Sequence, residues 1–141
     1  MKKVVIVYWS NGGNVEVLAN NIGEGAKEEG AEVILKYVQA ADVDEIMKAD
    51  AVAFGSPSMD NNQVEQKEMA PFLKKFKELP VQKKPLVLFG SYGWDNGEFM
   101  EEWEKQMVEY DFKIVGKLVV QEAPDNKQIE KAKELGRLLA K

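Results

Sequence analysis

Three short stretches hold the residues whose types and spacing suit chemistry. The first is Ser10-Asn11-Gly12-Gly13-Asn14-Val15, between an apolar run and a helix-periodic segment. It offers a hydroxyl, two carboxamides and a series of backbone N–H groups, and it contains no lysine or arginine. A strand, a Gly-rich turn and a helix N-terminus in that order point N–H groups outward, and the helix dipole adds partial positive charge. Uncharged donors of this kind suit a monophosphate held away from water. A plain tight turn, with glycine for geometry, accounts for the residues equally well. The stretch has neither the Gly-Lys-Ser/Thr of a nucleotide triphosphatase loop nor the G-x-G-x-x-G of a dinucleotide site.

The second stretch is Gly55-Ser56-Pro57-Ser58-Met59-Asp60-Asn61-Asn62-Gln63, and the third is Gly90-Ser91-Tyr92-Gly93-Trp94-Asp95-Asn96-Gly97. Each sets one large apolar residue, Met59 or Trp94, in a polar loop. Such a side chain commonly packs back on the core. Two of them at equivalent strand ends also suit a planar ring held between sulfur and indole.

Composition narrows the chemistry further. The 141 residues include no cysteine and no histidine. Disulfides, thiol nucleophiles, Cys/His zinc sites and histidine bases are therefore excluded. A formal net charge of −5 argues against nucleic acid as the main partner and suits a positively charged protein surface. No apolar run is long enough to span a bilayer. Met1-Lys2-Lys3 and the apolar residues up to Tyr8 imitate a signal peptide. That run is too short, and Trp9, Ser10 and Asn11 follow it instead of a small-residue cleavage site. The expectation is a single domain over residues 1–141, monomeric and cytoplasmic, with no repeat or linker.

The elements that must position the three stretches alternate along the chain. Residues 3–9 read as a strand buried on both faces, and residues 14–29 as a helix stopped by Gly30. Residues 32–38 form a second strand, and Asp42 opens a short helix to about Lys48. A third strand spans residues 51–55, followed by a polar loop over 56–66 and a helix over 67–79, with Pro71 tolerated in its first turn. A strand over 85–90 precedes the loop 91–97 and a helix over 98–110. The last strand covers 113–120, and a helix over 128–139 follows the loop 121–126. Trp103 and Phe112 read as core. Five strands alternating with five helices predict an α/β fold, a parallel sheet with helices on both faces. Ligands of such folds bind at the carboxyl ends of the strands, where one ligand can touch all three stretches.

The motifs V-Y-W-S-x-x-G-N-x-E at residues 7–16, G-x-P-x-M at 55–59 and L-F-G-S-Y-G-W at 88–94, with Pro124-Asp125, give the chain a resemblance. It resembles the short-chain flavodoxins, over nearly its whole length. The resemblance implies a flavodoxin-like three-layer sandwich with a five-stranded sheet of order 2-1-3-4-5. It implies bound FMN and low-potential one-electron transfer between larger redox enzymes, with no substrate chemistry of the protein's own. It places Ser10 and Asn14 on the phosphate, beside Trp9 and the N–H groups of Asn11, Gly12, Gly13 and Val15. Met59, next to Ser58, and Trp94 would cover the two ring faces. Asp60, Asn61 and Asn62 would border the ring edge. Ser91, Tyr92 and Gly93 would bring backbone groups to the ribityl and pyrimidine side, with Gln121 and Glu122 near the pyrimidine end.

The family loop usually reads S-G-T-G-N-T, and here Gly12 and Val15 stand where it has threonines. Two hydroxyl donors to the phosphate are therefore missing, each worth about 1.5–3 kcal/mol when the acceptor is charged. That departure keeps a second function open, a flavodoxin-like domain with weakened FMN binding acting as a regulatory module. Glu98, Glu101, Glu102 and Glu104 read as the solvated face of a helix. Together with Asp60, Asp95 and Glu122 they would form an acidic rim for partners with basic docking surfaces.

Overall fold

The computed structural model describes every residue except Asp60 and Asn61. The strands are β1 (Lys3–Tyr8), β2 (Glu32–Tyr37), β3 (Ala51–Pro57), β4 (Lys84–Tyr92) and β5 (Phe112–Gln121). The helices are α1 (Asn14–Glu28), α2 (Val43–Lys48), α3 (Met69–Lys74), α4 (Phe99–Glu109) and α5 (Asn126–Ala140). The strands pair in parallel in the order β2-β1-β3-β4-β5. The expected alternation and the implied strand order both hold.

The apolar strands explain the order of burial. Val4, Val5, Ile6 and Val7 of β1 and Val52, Ala53 and Phe54 of β3 are fully buried, as a central parallel strand covered on both faces must be. The edge strand β2 is only partly covered. One layer packs α1 and α5 on the sheet through Val15, Leu18, Ile22, Ala132 and Leu135. These two helices approach closely through glycines. A Cβ on Gly25 would lie 1.9 Å from the Lys133 carbonyl oxygen, and one on Gly136 would lie 1.9 Å from that of Ile22. The other layer, with α2, α3 and α4, is aromatic. Phe54, Phe72, Phe76 and Phe112 meet at centroid distances between 5.4 and 6.0 Å, mostly edge to face. Trp103 and Phe112 lie in this core as expected, 2% and 1% exposed.

Several boundaries differ from the sequence expectation, each for a physical reason. β3 and β4 run two residues further because their ladder continues through Ser56–Gly90 and Pro57–Ser91. Both ligand loops therefore start from fixed backbone. α3 begins at Met69 instead of residue 67. The buried Glu65 carboxylate accepts the N–H groups of Lys67, Glu68 and Met69, each at 2.8 Å, and so fixes where the helix starts. The segment Lys75–Glu78 then tightens into a 3₁₀ turn. α5 starts earlier than expected, at Asn126, because Asp125 and Gln128 form a reciprocal capping box. No helix is long and apolar enough to cross a membrane, among the described residues.

Candidate functional site

The loop after β1 is built around one glycine. Gly13 sits at φ +93°, a left-handed conformation that glycine adopts without a steric penalty. Its N–H donates to the Ser10 hydroxyl at 3.2 Å, and its carbonyl accepts the Val17 N–H at 3.0 Å, which opens α1. No side chain caps this helix. In α2 and α5 the N-cap carboxylate accepts a first-turn N–H, and in α3 Glu65, ahead of the cap, does so, whereas α4, like α1, has no side-chain cap. The N-terminus of α1 thus follows the carboxyl end of β1, and its first-turn N–H groups have no side-chain acceptor among the described residues, an arrangement that suits an anion.

Aromatic residues brace this loop from behind. The Tyr37 hydroxyl donates to the Ser10 carbonyl at 3.4 Å, and its ring meets Tyr8 edge-on at 5.6 Å. Trp9, half-buried, donates its indole N–H to Glu68 at 2.9 Å. Burial raises the pKa of both tyrosines above the ordinary 10.0, with the charge of Glu16 adding to the effect at Tyr8 and that of Glu68 at Tyr37.

The loops after β3 and β4 are tied together. The Ser58 N–H donates to the Ser91 carbonyl at 2.7 Å, and the Ser58 hydroxyl donates to the Asp95 carboxylate at 2.6 Å. The other Asp95 oxygen accepts the Gly97 N–H at 2.8 Å. Met59 bonds back to the Gln63 carbonyl at 2.7 Å in a one-pair antiparallel bridge. At the far side the Glu122 N–H donates to the Tyr92 carbonyl at 2.7 Å, with Glu122 itself at φ +56°. Neither large apolar residue packs back on the core. Met59 is 38% exposed and Trp94 is fully exposed.

These loops enclose a cavity of about 230 Å³ at the carboxyl end of the sheet. Ser10, Asn11, Gly12, Asn14 and Val15 line one end. Ser58, Met59, Ser91, Tyr92, Gly93 and Glu122 line the other, together with Pro57, which the sequence reading did not single out. Trp9, Gly13, Trp94 and Gln121 lie outside the lining. Gly13 and Trp94 adjoin it in the chain, Trp9 turns to Glu68, and Gln121 ends β5 opposite Tyr92. Asn62, at φ +55°, lines a neighbouring groove of about 350 Å³ against Trp103 and Gln106 of α4. That groove is larger, but it gathers none of the residues of the β1 loop. Asp60 and Asn61 lie outside the described residues.

Residues 6–136 match the flavodoxin family profile. The chain belongs to the flavodoxin family. Its relatives include the flavodoxin of Megasphaera elsdenii, 36% identical over 140 residues that cover 98% of each chain. The flavodoxin of Clostridium beijerinckii is 34% identical over 136 residues, covering 96% of this chain and 97% of the relative. The solution structure of two-electron reduced Megasphaera elsdenii flavodoxin superposes with a TM-score of 0.86 at 35% identity, over 97% of this chain and 98% of that one. As a flavodoxin, the chain is an FMN-dependent electron carrier.

The residues present fit FMN. The uncapped N-terminus of α1 and the neutral donors of Ser10, Asn11 and Asn14 suit its phosphate. The exposed Met59 and Trp94, on two adjoining loops, suit the two faces of its ring. Gly12 and Gly93 leave open space where a Cβ would stand, so backbone can approach a ligand there. Sequence reasoning missed two supports of this flavodoxin site, Tyr37 behind the phosphate loop and the Ser58–Asp95 bond. Neither carries a motif, since both act through partners distant in sequence.

Proposed function

We propose that this flavodoxin carries single electrons at low potential between larger redox enzymes, as a cytoplasmic monomer without substrate chemistry of its own. Bound FMN supplies the redox chemistry, and the chain's residues bind it, orient it and shield it. Ser10 and Asn14 hold the phosphate with the N–H groups of Asn11, Gly12, Gly13 and Val15. Met59 and Trp94 cover the ring, and Ser91, Tyr92 and Gly93 present backbone groups to its polar side. Asp60, Asn61 and Asn62 border the ring edge, and Gln121 and Glu122 the pyrimidine end. The observation that carries this reading is the meeting, at one strand-end cavity, of an uncapped helix N-terminus with two loops bearing exposed Met59 and Trp94.

Partners with basic docking surfaces suit the exposed carboxylates of Glu98, Glu101, Glu102 and Glu122 near the ring loops. Spectroelectrochemical titration of the FMN-loaded protein tests the function. Two resolved one-electron steps are expected. A single two-electron step would assign the chain to two-electron chemistry instead.

A further inference from the structure

The bond between Ser58 and Asp95 joins two loops that are 37 residues apart in sequence. Its donor sits one residue before Met59, and its acceptor one residue after Trp94. The bond is short, 2.6 Å, as hydroxyl-to-carboxylate bonds are, and such charge-assisted bonds are roughly twice as strong as neutral ones. Both ends are fixed from behind. The Ser58 N–H is held by the Ser91 carbonyl, and the second Asp95 oxygen is held by the Gly97 N–H. Gly97 itself sits at φ +76°, where a side chain would be strained, so the turn that aims Asp95 is set by the backbone. Trp94, by contrast, has no packing of its own to hold it, being fully exposed.

We propose that Asp95 is a positioning residue. Through Ser58 it fixes the separation of the Met59 and Trp94 loops and so pre-forms the slot for the flavin ring. This inference rests on the FMN reading above. Pre-forming a slot lowers the ordering cost of binding, so Asp95, which lies outside the cavity lining, acts on affinity through Ser58. Ring-binding energy and loop spacing are then coupled through one hydrogen bond.

A double-mutant cycle read by titration with FMN tests the proposal. Ser58→Ala and Asp95→Ala are each expected to raise the FMN dissociation constant about tenfold, and the double variant by about the same factor. Riboflavin, which lacks the phosphate, should lose affinity by the same factor as FMN. Ser58→Thr keeps the hydroxyl and should restore binding to within about threefold of wild type, whereas Ser58→Val should not. A change below about twofold in either single alanine variant overturns the proposal. So does a double variant weaker than the weaker single by more than about threefold, or rescue by Val as well as by Thr. Wild-type protein that binds neither flavin would instead overturn the FMN reading itself.

Discussion

The two ends of the proposed flavin site are built on different principles. The ring end is cross-braced, with two loops extended by a continuing ladder and joined by Ser58–Ser91 and Ser58–Asp95 hydrogen bonds. The phosphate end is local. Ser10 and Gly13 bond within one turn, and the support from behind comes from a long bond from Tyr37 and from Trp9, which bonds to Glu68 and to the Gly55 carbonyl. The ring end keeps Met59 and the Gly90-Ser91-Tyr92-Gly93-Trp94 run, with Asp60 where the family commonly has glycine and Asn62 where it has an acidic residue, while the phosphate end lacks two of the hydroxyls that the family loop carries. On the proposed placement of FMN, recognition of one ligand would be divided unequally, with the stiff half compensating for donors missing in the other.

The largest expected break in this contrast is at Trp94. Stacking of a base on an aromatic is worth about 1–3 kcal/mol, and a flavin ring is of similar kind. Trp94→Ala should therefore weaken FMN about ten- to a hundredfold and remove most of the tryptophan quenching on binding. Because Trp94 is fully exposed, the fold should be untouched, which a thermal melt without FMN would check. Unchanged affinity would place Trp94 outside the site.

At the phosphate end the structure separates two substitutions that the sequence treats alike. Gly12 has open space at its Cβ position and no positive φ, so Gly12→Thr adds a hydroxyl without strain. It should tighten FMN about tenfold while leaving riboflavin unchanged. Val15 is fully buried among Val4, Leu18 and their neighbours, so Val15→Thr also places a hydroxyl against the core. Valine to threonine is not a neutral swap there, and little net gain is expected. Parallel titrations of the two variants check this. Equal tightening would mean that the Val15 site faces the phosphate more than the core.

The smallest effect concerns pH. Burial raises the pKa of Tyr8 and Tyr37 above 10.0, so the folded chain holds these protons more tightly than the unfolded one. The stability they contribute is full below about pH 10 and is lost as pH rises beyond it. Burial lowers the pKa of Lys84, which has the opposite sign and cancels when variants are compared. Tyr37→Phe should therefore lose less stability than wild type between pH 9 and 11 in urea titrations. An equal loss would mean that Tyr37 does not titrate with folding.

Much of the fold was legible in the residues. The apolar runs of β1 and β3 read as buried strands, the resemblance supplied the strand order, and the Asp42 cap set the start of α2. The exact starts of α3 and α5 were less legible. The first depends on a buried carboxylate, Glu65, reaching forward to three N–H groups, and the second on a reciprocal cap. At the site, the resemblance named every lining residue but Pro57 as a candidate, and also Trp9, Gly13, Trp94 and Gln121, which lie outside the lining. Exposure at Met59 and Trp94 speaks against packing on the core, one of the two readings that chemistry alone left open. The bracing by Asp95 and Tyr37 was invisible because each contact joins residues far apart in the chain.

Side-by-side titration of wild-type protein with FMN and riboflavin, followed by tryptophan emission, tests the unequal division most directly. The account predicts one-to-one binding of both, with strong quenching, and riboflavin weaker than FMN by no more than about a hundredfold, the scale of a phosphate end short of two donors. A greater loss without the phosphate, or no saturable binding of either flavin, would contradict it.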